Sequence, residues 1–154
     1  MLIRSLTIED NEAAVALMLE WEAEKPIVAC SGIDAHYLSQ LFQLYVLNSA
    51  YFAWVAESDG DIVGILAGVV TAGLLNPSDV VAYQHLWYVK PEHRVGTIGP
   101  RLLREFERWA KARHANYIAI GANHGFDPER VGAFYAHCGY TEYETHYLKE
   151  AGDG

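Results

Sequence analysis

The chain has 154 residues, about half of them apolar, which is enough for one domain with a proper core and too few for two of ordinary size. Its formal charge is −9 and its pI about 5.1, so it lacks the basic footprint that nucleic acid or an anionic membrane attracts. Cys30 and Cys138 lie far apart, with neither metal-ligand spacing nor a disulfide framework, which points to a reducing, cytoplasmic compartment. The N-terminus has no long apolar core of a signal peptide, and residues 62–75 are too short and glycine-broken to span a bilayer, so a soluble protein is expected.

Residues 2–6 alternate as a first strand. Thr7 and Asp10 resemble a capping box opening a helix to about residue 24. Ala13, Ala14, Ala16, Leu17, Leu19 and Trp21 supply its core side, with Glu12, Glu20, Glu22 and Glu24 mostly toward water. Residues 27–32 read as a loop, after which Asp34 caps a second helix through about residue 47. Residues 51–57 and 61–70 are strand-like and joined by Ser58-Asp59-Gly60, whose Asp-Gly pair is a strong hairpin signal. Asn76-Pro77-Ser78-Asp79 then turns the chain into a third strand over 80–89, completing an antiparallel meander.

That strand closes at Lys90-Pro91 and enters His93-Arg94-Val95-Gly96-Thr97-Ile98-Gly99-Pro100. Behind this loop, Leu102, Leu103, Phe106, Trp109 and Ala110 recur at three- and four-residue steps, predicting a helix from 99 to about 114 with one buried face. Strand, glycine-bearing turn and helix make an anion-binding arrangement, because the first helical turn leaves N–H groups unpaired and glycine lets a phosphate come close. An isolated loop of this kind serves equally well as a plain turn. Seven of the eleven basic residues fall between 90 and 113; Arg94 and Arg101, nearest the helix start, are the best placed to meet a phosphate. Arg104, Arg108 and Lys111 read as a solvated helix face.

Residues 117–120 read as a short buried strand, parallel to 80–89 if the unit is a right-handed crossover. After a loop at 123–127, Pro128 suits the first turn of a helix to about 138, which Gly139 ends. Residues 140–148 alternate aromatic and polar residues as a last strand, within a single domain over 1–150, and the tail from 151 is expected to be disordered.

Two segments carry a family likeness: Tyr88-Val89-Lys90-Pro91-Glu92-His93-Arg94-Val95-Gly96-Thr97-Ile98-Gly99 followed by Leu102-Leu103, and Ala133-Phe134-Tyr135-Ala136-His137-Cys138-Gly139-Tyr140. With the order of elements, they resemble the GNAT superfamily of acetyl-CoA-dependent N-acetyltransferases over nearly the whole chain. The first is similar to its pyrophosphate loop, Arg/Gln-x-x-Gly-x-Gly/Ala, and the second to its Phe-Tyr-x-x-x-Gly-Phe helix end.

The resemblance implies an α+β fold: a central mixed, mostly antiparallel sheet of six to seven strands flanked by about four helices, with parallel strands near 83–89 and 117–121 splayed apart. It implies transfer of an acetyl group from acetyl-CoA to a primary amine of a small molecule or peptide, by direct attack in a ternary complex and without a metal. It also admits a homodimer. Backbone groups near Trp87, Tyr88 and Val89 would pair with the thioester and pantetheine, and the amides of Val95, Gly96, Thr97, Ile98 and Gly99 would carry the pyrophosphate. Tyr135 would protonate the departing thiolate. The chain departs from the pattern at Thr97, where the family has its first glycine, and at Pro100, which lacks an N–H. At Pro128 many members carry asparagine. These departures bear on cofactor affinity more than on the fold.

A base is harder to assign. On an alternating strand His85 and Tyr83 share the face of Trp87 and Val89, toward the substrate side, while Gln84, Leu86 and Tyr88 point away. Either His85 accepts the amine proton, directly or through water, or it is a structural histidine; no base is needed if the amine arrives deprotonated. His114, His124, His137 and His146 have no ligand-like spacing. Cys138 sits at the wrong end of a helix dipole for a nucleophile. Ser31, Asp34 and His36 form a candidate substrate-contact group, with Asp34 better read as a cap. A rival of another class is a non-catalytic acyl-CoA-binding or protein-interaction module on the same fold.

Overall fold

The computed structural model describes residues 1–24, 31–122 and 127–151. Expectations for the loops at 27–30 and 123–126, for the tail at 152–154, and for Cys30 and His124 lie outside the described residues.

The elements run β1 (Leu2–Ser5), α1 (Asn11–Glu24), α2 (Ala35–Leu47), β2 (Tyr51–Ser58), β3 (Asp61–Ala72), β4 (Val80–Val89), α3 (Ile98–Ala112), β5 (Tyr117–Ala119) and α4 (Pro128–His137). Local chemistry explains most boundaries. Thr7 donates both its N–H and its hydroxyl to Asp10 at 2.9 Å, and Asp10 also holds Arg4 through a 2.6 Å ion pair, tying β1 to the start of α1. Asp34 Oδ1 accepts from Tyr37 N at 2.9 Å and caps α2. Asp59 and Gly60 both take positive φ, 54° and 91°, as the β2–β3 hairpin turn requires.

Among the described residues the sheet has five strands in the order β1-β2-β3-β4-β5, antiparallel except for the parallel β4–β5 pair. This is the expected mixed α+β class with fewer strands than the expected six to seven. Residues 140–148, read from their alternation as a last strand, make no ladder among the described residues, and Tyr143, Tyr147 and Leu148 are exposed. Alternation alone does not make a strand; a neighbouring edge must accept the backbone bonds. β5 is likewise less buried than expected, with Tyr117 63% exposed, because it stands at the sheet edge.

The sheet separates two apolar clusters. On one face Ala14, Leu17, Met18 and Trp21 of α1 and Leu38, Phe42 and Tyr45 of α2 pack on Val55, Ile65, Ala67 and Tyr88. Met18, and not the expected Leu19, completes the α1 stripe: positions 14, 17, 18 and 21 follow the helical repeat, whereas Leu19 is 40% exposed. On the other face Leu102, Leu103, Phe106 and Ala110 of α3 cover Phe52, Leu66, Ala82 and Val89.

One irregularity positions the site. Ala67 of β3 faces Leu86 of β4, but the next residue, Gly68, faces Gln84, so His85 is an extra residue bulged out of β4. Gly68 is required at this point: a Cβ there would lie 2.4 Å from Tyr83 O and 2.7 Å from Phe106 Cε2.

Candidate active site

The parallel β4–β5 ladder covers only Val81–Tyr117, Ala82–Ile118 and Tyr83–Ala119. Beyond it the strands are joined by side chains. Gln84 Oε1 accepts from Gly121 N at 2.9 Å, and the Tyr135 hydroxyl donates to Gly121 O at 2.8 Å. Both backbone polar groups of Gly121 are thus held by side chains, with no strand partner among the described residues, which leaves a gap in the backbone pairing between β4 and the chain after β5.

Tyr135 reaches the gap because α4 is firmly bounded. Asp127 Oδ1 accepts from Arg130 N, Pro128 occupies the first turn, and Gly139 leaves the helix at φ 90°. Phe134 and Tyr140 pack on the α3 cluster, and the Tyr140 hydroxyl donates to Glu107 at 2.9 Å. The Tyr135 ring stacks on Trp87, centroids 5.9 Å apart. Burial, followed by the nearby Cys138, raises the Tyr135 pKa above its ordinary value, so the hydroxyl keeps its proton at neutral pH.

The glycine loop lies beside this gap. Gly96 has φ +153°, and the first helical bond of α3 runs from Arg101 N to Thr97 O at 2.9 Å. Among the described residues the N–H groups of Val95, Gly96, Thr97, Ile98 and Gly99 have no acceptor, while Ile98 is buried and anchors the turn. Gly99 faces Trp87, whose Cζ2 would be 3.6 Å from a Cβ on that glycine. Successive unpaired N–H groups at and before a helix start are donors of the kind an anion takes.

Arg94 is differently engaged from the phosphate contact its position implies. Its two Nη atoms each approach a Glu24 carboxylate oxygen at 2.6 Å, its Nε donates to Val89 O at 2.8 Å, and it lies over the Tyr88 ring. Tyr88 stacks on Trp21 and donates to Glu24 at 2.9 Å; burial and that carboxylate push its pKa up to about 12. Lys90 pairs with Glu20 at 2.9 Å. The acidic end of α1, expected to face water, therefore clamps the start of the loop. Arg101 has no ion-pair partner among the described residues.

The bulge overturns the facing expected for His85. Trp87 and Val89 lie on the α3 face, but His85 follows Leu86 and Tyr88 onto the α1/α2 face, where its Nδ1 is 2.5 Å from the Tyr45 hydroxyl. One extra residue shifts the two-residue alternation by one. His85 is an exposed residue overall, and partial burial lowers its pKa.

Asp34 acts as a cap, and His36 contacts Gln40 at 3.2 Å. Burial, followed by Glu107, raises the pKa of the exposed Cys138 thiol. Among the described residues no group of three or more histidine, cysteine or carboxylate side chains could hold a metal, and no helix is long and apolar enough to cross a membrane. A cavity of about 210 Å³ opens elsewhere, beside the β1 edge, between Tyr45, Tyr51, Trp54 and Trp109.

Glu24, Tyr45, Gln84 and Gly121 complete the arrangement and carried no distinct signal in the sequence. Each is defined by a partner at least 37 positions away.

The family model of the acetyltransferase (GNAT) family matches residues 15–140. The chain belongs to the GNAT acetyltransferase family. Its fold is shared with other GNAT-like structures at low identity. A predicted acetyltransferase of Clostridium acetobutylicum, solved with acetyl-CoA, superimposes with TM-score 0.76 at 19% identity over 97% of this chain and 95% of that one. An aminoglycoside acetyltransferase from an uncultured soil metagenomic sample does so with TM-score 0.74 at 18% identity, covering 98% and 96%. Glucosamine-6-phosphate N-acetyltransferase of Arabidopsis thaliana gives TM-score 0.75 at 14% identity, covering 98% of both chains. No curated protein matches this GNAT sequence.

Proposed function

We propose that this GNAT protein transfers an acetyl group from acetyl-CoA to the primary amine of a small molecule or peptide, by direct attack with both substrates bound. The observation that carries the reading is the Tyr135 hydroxyl at the β4–β5 gap, bonded to Gly121 O and against Trp87. The names of two structural neighbours, an aminoglycoside acetyltransferase and a glucosamine-6-phosphate N-acetyltransferase, support a small amine-bearing acceptor. The net charge of −9 fits a cationic one.

The amides of Val95, Gly96, Thr97, Ile98 and Gly99 hold the pyrophosphate, with Arg101 adding charge beside them. Arg94 acts from behind, fixing the loop through Glu24 and Val89 O. Backbone groups near Trp87, Tyr88 and Val89, other than the Val89 O that Arg94 holds, receive the pantetheine and thioester beyond the last β5 pairing. Acetyl-CoA supplies the thioester; the new C–N bond forms as the C–S bond breaks. The Tyr135 O–H leaves Gly121 O and delivers its proton to the sulfur, the amine proton passes to solvent, and solvent reprotonates Tyr135, which returns to Gly121 O. The exposed Cys138 thiol fits a reducing, cytoplasmic setting.

Calorimetric titration with acetyl-CoA, followed by thiol release with a broad amine panel for native protein and Tyr135→Phe, tests this. Binding and turnover that fall in the variant are expected. Absence of binding overturns the coenzyme A reading, and binding without turnover across the panel favours the non-catalytic module.

A further inference from the structure

The Tyr45–His85 pair determines what His85 can offer a substrate. Tyr45 is 4% exposed, with its ring packed against Phe42 and Tyr51. A buried phenol must donate its hydrogen or leave it unpaired, and among the described residues the acceptor at hydrogen-bond distance is His85 Nδ1. If Nδ1 carried the ring proton, the tyrosine oxygen would accept it and the buried O–H would have no acceptor. Donation from Tyr45 satisfies both groups, and it leaves the neutral imidazole with its proton on Nε2.

Nε2 is the ring nitrogen that Tyr45 does not contact, and His85 is an exposed residue. Trp87, with Tyr135 stacked on it, lies on the α3 side of the sheet and His85 on the α1/α2 side, so in the acetyl-transfer reading the α1/α2 side, with His85, is left to the amine. We propose that Tyr45 is a positioning residue that locks His85 as the Nε2–H tautomer, and that His85 donates to an oxygen acceptor on the amine substrate instead of acting as its base. The substrate class is then a primary amine that carries a carbonyl, hydroxyl or carboxylate oxygen close to the nitrogen. This rests on the acetyl-transfer reading for the substrate contact, although not for the tautomer.

The test has a spectroscopic and a kinetic arm. In protein labelled with ¹⁵N-histidine, His85, assigned through His85→Gln, should show a pyrrole-type Nε2 and a pyridine-type Nδ1. Tyr45→Phe should shift both signals toward a tautomer mixture. An Nδ1–H tautomer, or no change in Tyr45→Phe, overturns the lock. In the kinetic arm, His85→Ala should raise the acceptor KM about tenfold with kcat nearly unchanged, as for loss of one binding hydrogen bond, and His85→Gln should recover most of it. A fall in kcat at unchanged KM would make His85 the base and overturn the donor role. Because the tautomer is read without substrate, failure of acetyl-CoA to bind would remove the acetyl-transfer reading and the substrate contact together and leave the tautomer result standing.

Discussion

The Tyr135 hydroxyl donates to the carbonyl oxygen of Gly121 at 2.8 Å, across the point where β4 and β5 stop pairing. One helix thereby reaches over the gap and fixes a backbone group that lacks a strand partner. Gln84 does the same for the Gly121 N–H, so the opening is braced from both sides.

Tyr135→Phe keeps the stacking on Trp87 and removes this bond. Thiol release with a competent amine should fall about a hundredfold in kcat, within the usual range for loss of a general acid, and stability by about 1 kcal/mol. Burial raises the Tyr135 pKa above the ordinary value of 10.0, so ionisation of this group should cause no loss of kcat between pH 7 and 10. A Tyr135→Phe enzyme as fast as the native one would remove Tyr135 as the acid.

Glu24→Gln replaces the carboxylate that binds both Nη atoms of Arg94 and the Tyr88 hydroxyl. The loop start should loosen. Titration calorimetry is expected to show a severalfold weaker acetyl-CoA affinity, with kcat at saturation preserved, since no donor in the loop is removed.

Acid sensitivity should arise where β1 meets α1. The Arg4 guanidinium, helped by Thr7, holds Asp10 down to about 2 from the ordinary 3.8. A depressed folded-state pKa gives stability that is complete above pH 4 and lost as pH falls from 4 through 2. Asp10→Asn should flatten that part of a stability-against-pH curve measured by urea unfolding. It should lower stability at pH 7 by of order 1 kcal/mol, because the pair is partly exposed.

Gly68→Ala should destabilise by about 3 kcal/mol or more, because the added methyl meets backbone oxygen and an aromatic ring that is itself fully buried. Gly99→Ala is the contrasting case: its nearest neighbour would be Trp87 Cζ2 at an ordinary 3.6 Å. Chemical denaturation should therefore separate the two alanine variants clearly.

Much of the fold was legible because its signals are local. Asp59-Gly60 specifies a tight hairpin within two residues, Asp34 caps its own helix, and Pro128 and Gly139 bound α4. The misread positions have longer-range causes. Leu19 and Met18 are adjacent and both apolar, and only the seating of α1 on the sheet selects Met18. Residues 140–148 have a strand's alternation without a ladder among the described residues.

By itself the amino-acid sequence determined the α+β class, the glycine loop between a strand and an amphipathic helix, and the family likeness carried by that loop and by Phe134-Tyr135. Those features depend on propensities and spacings within a few residues of one another. Only the tertiary structure decided that Arg94 is bound to Glu24, that Tyr135 and Gln84 hold Gly121, and that His85 faces Tyr45. The reason is the one-residue bulge in β4 together with pairings between distant elements. A strand's alternation predicts facing only while its register with the neighbouring strand is unbroken.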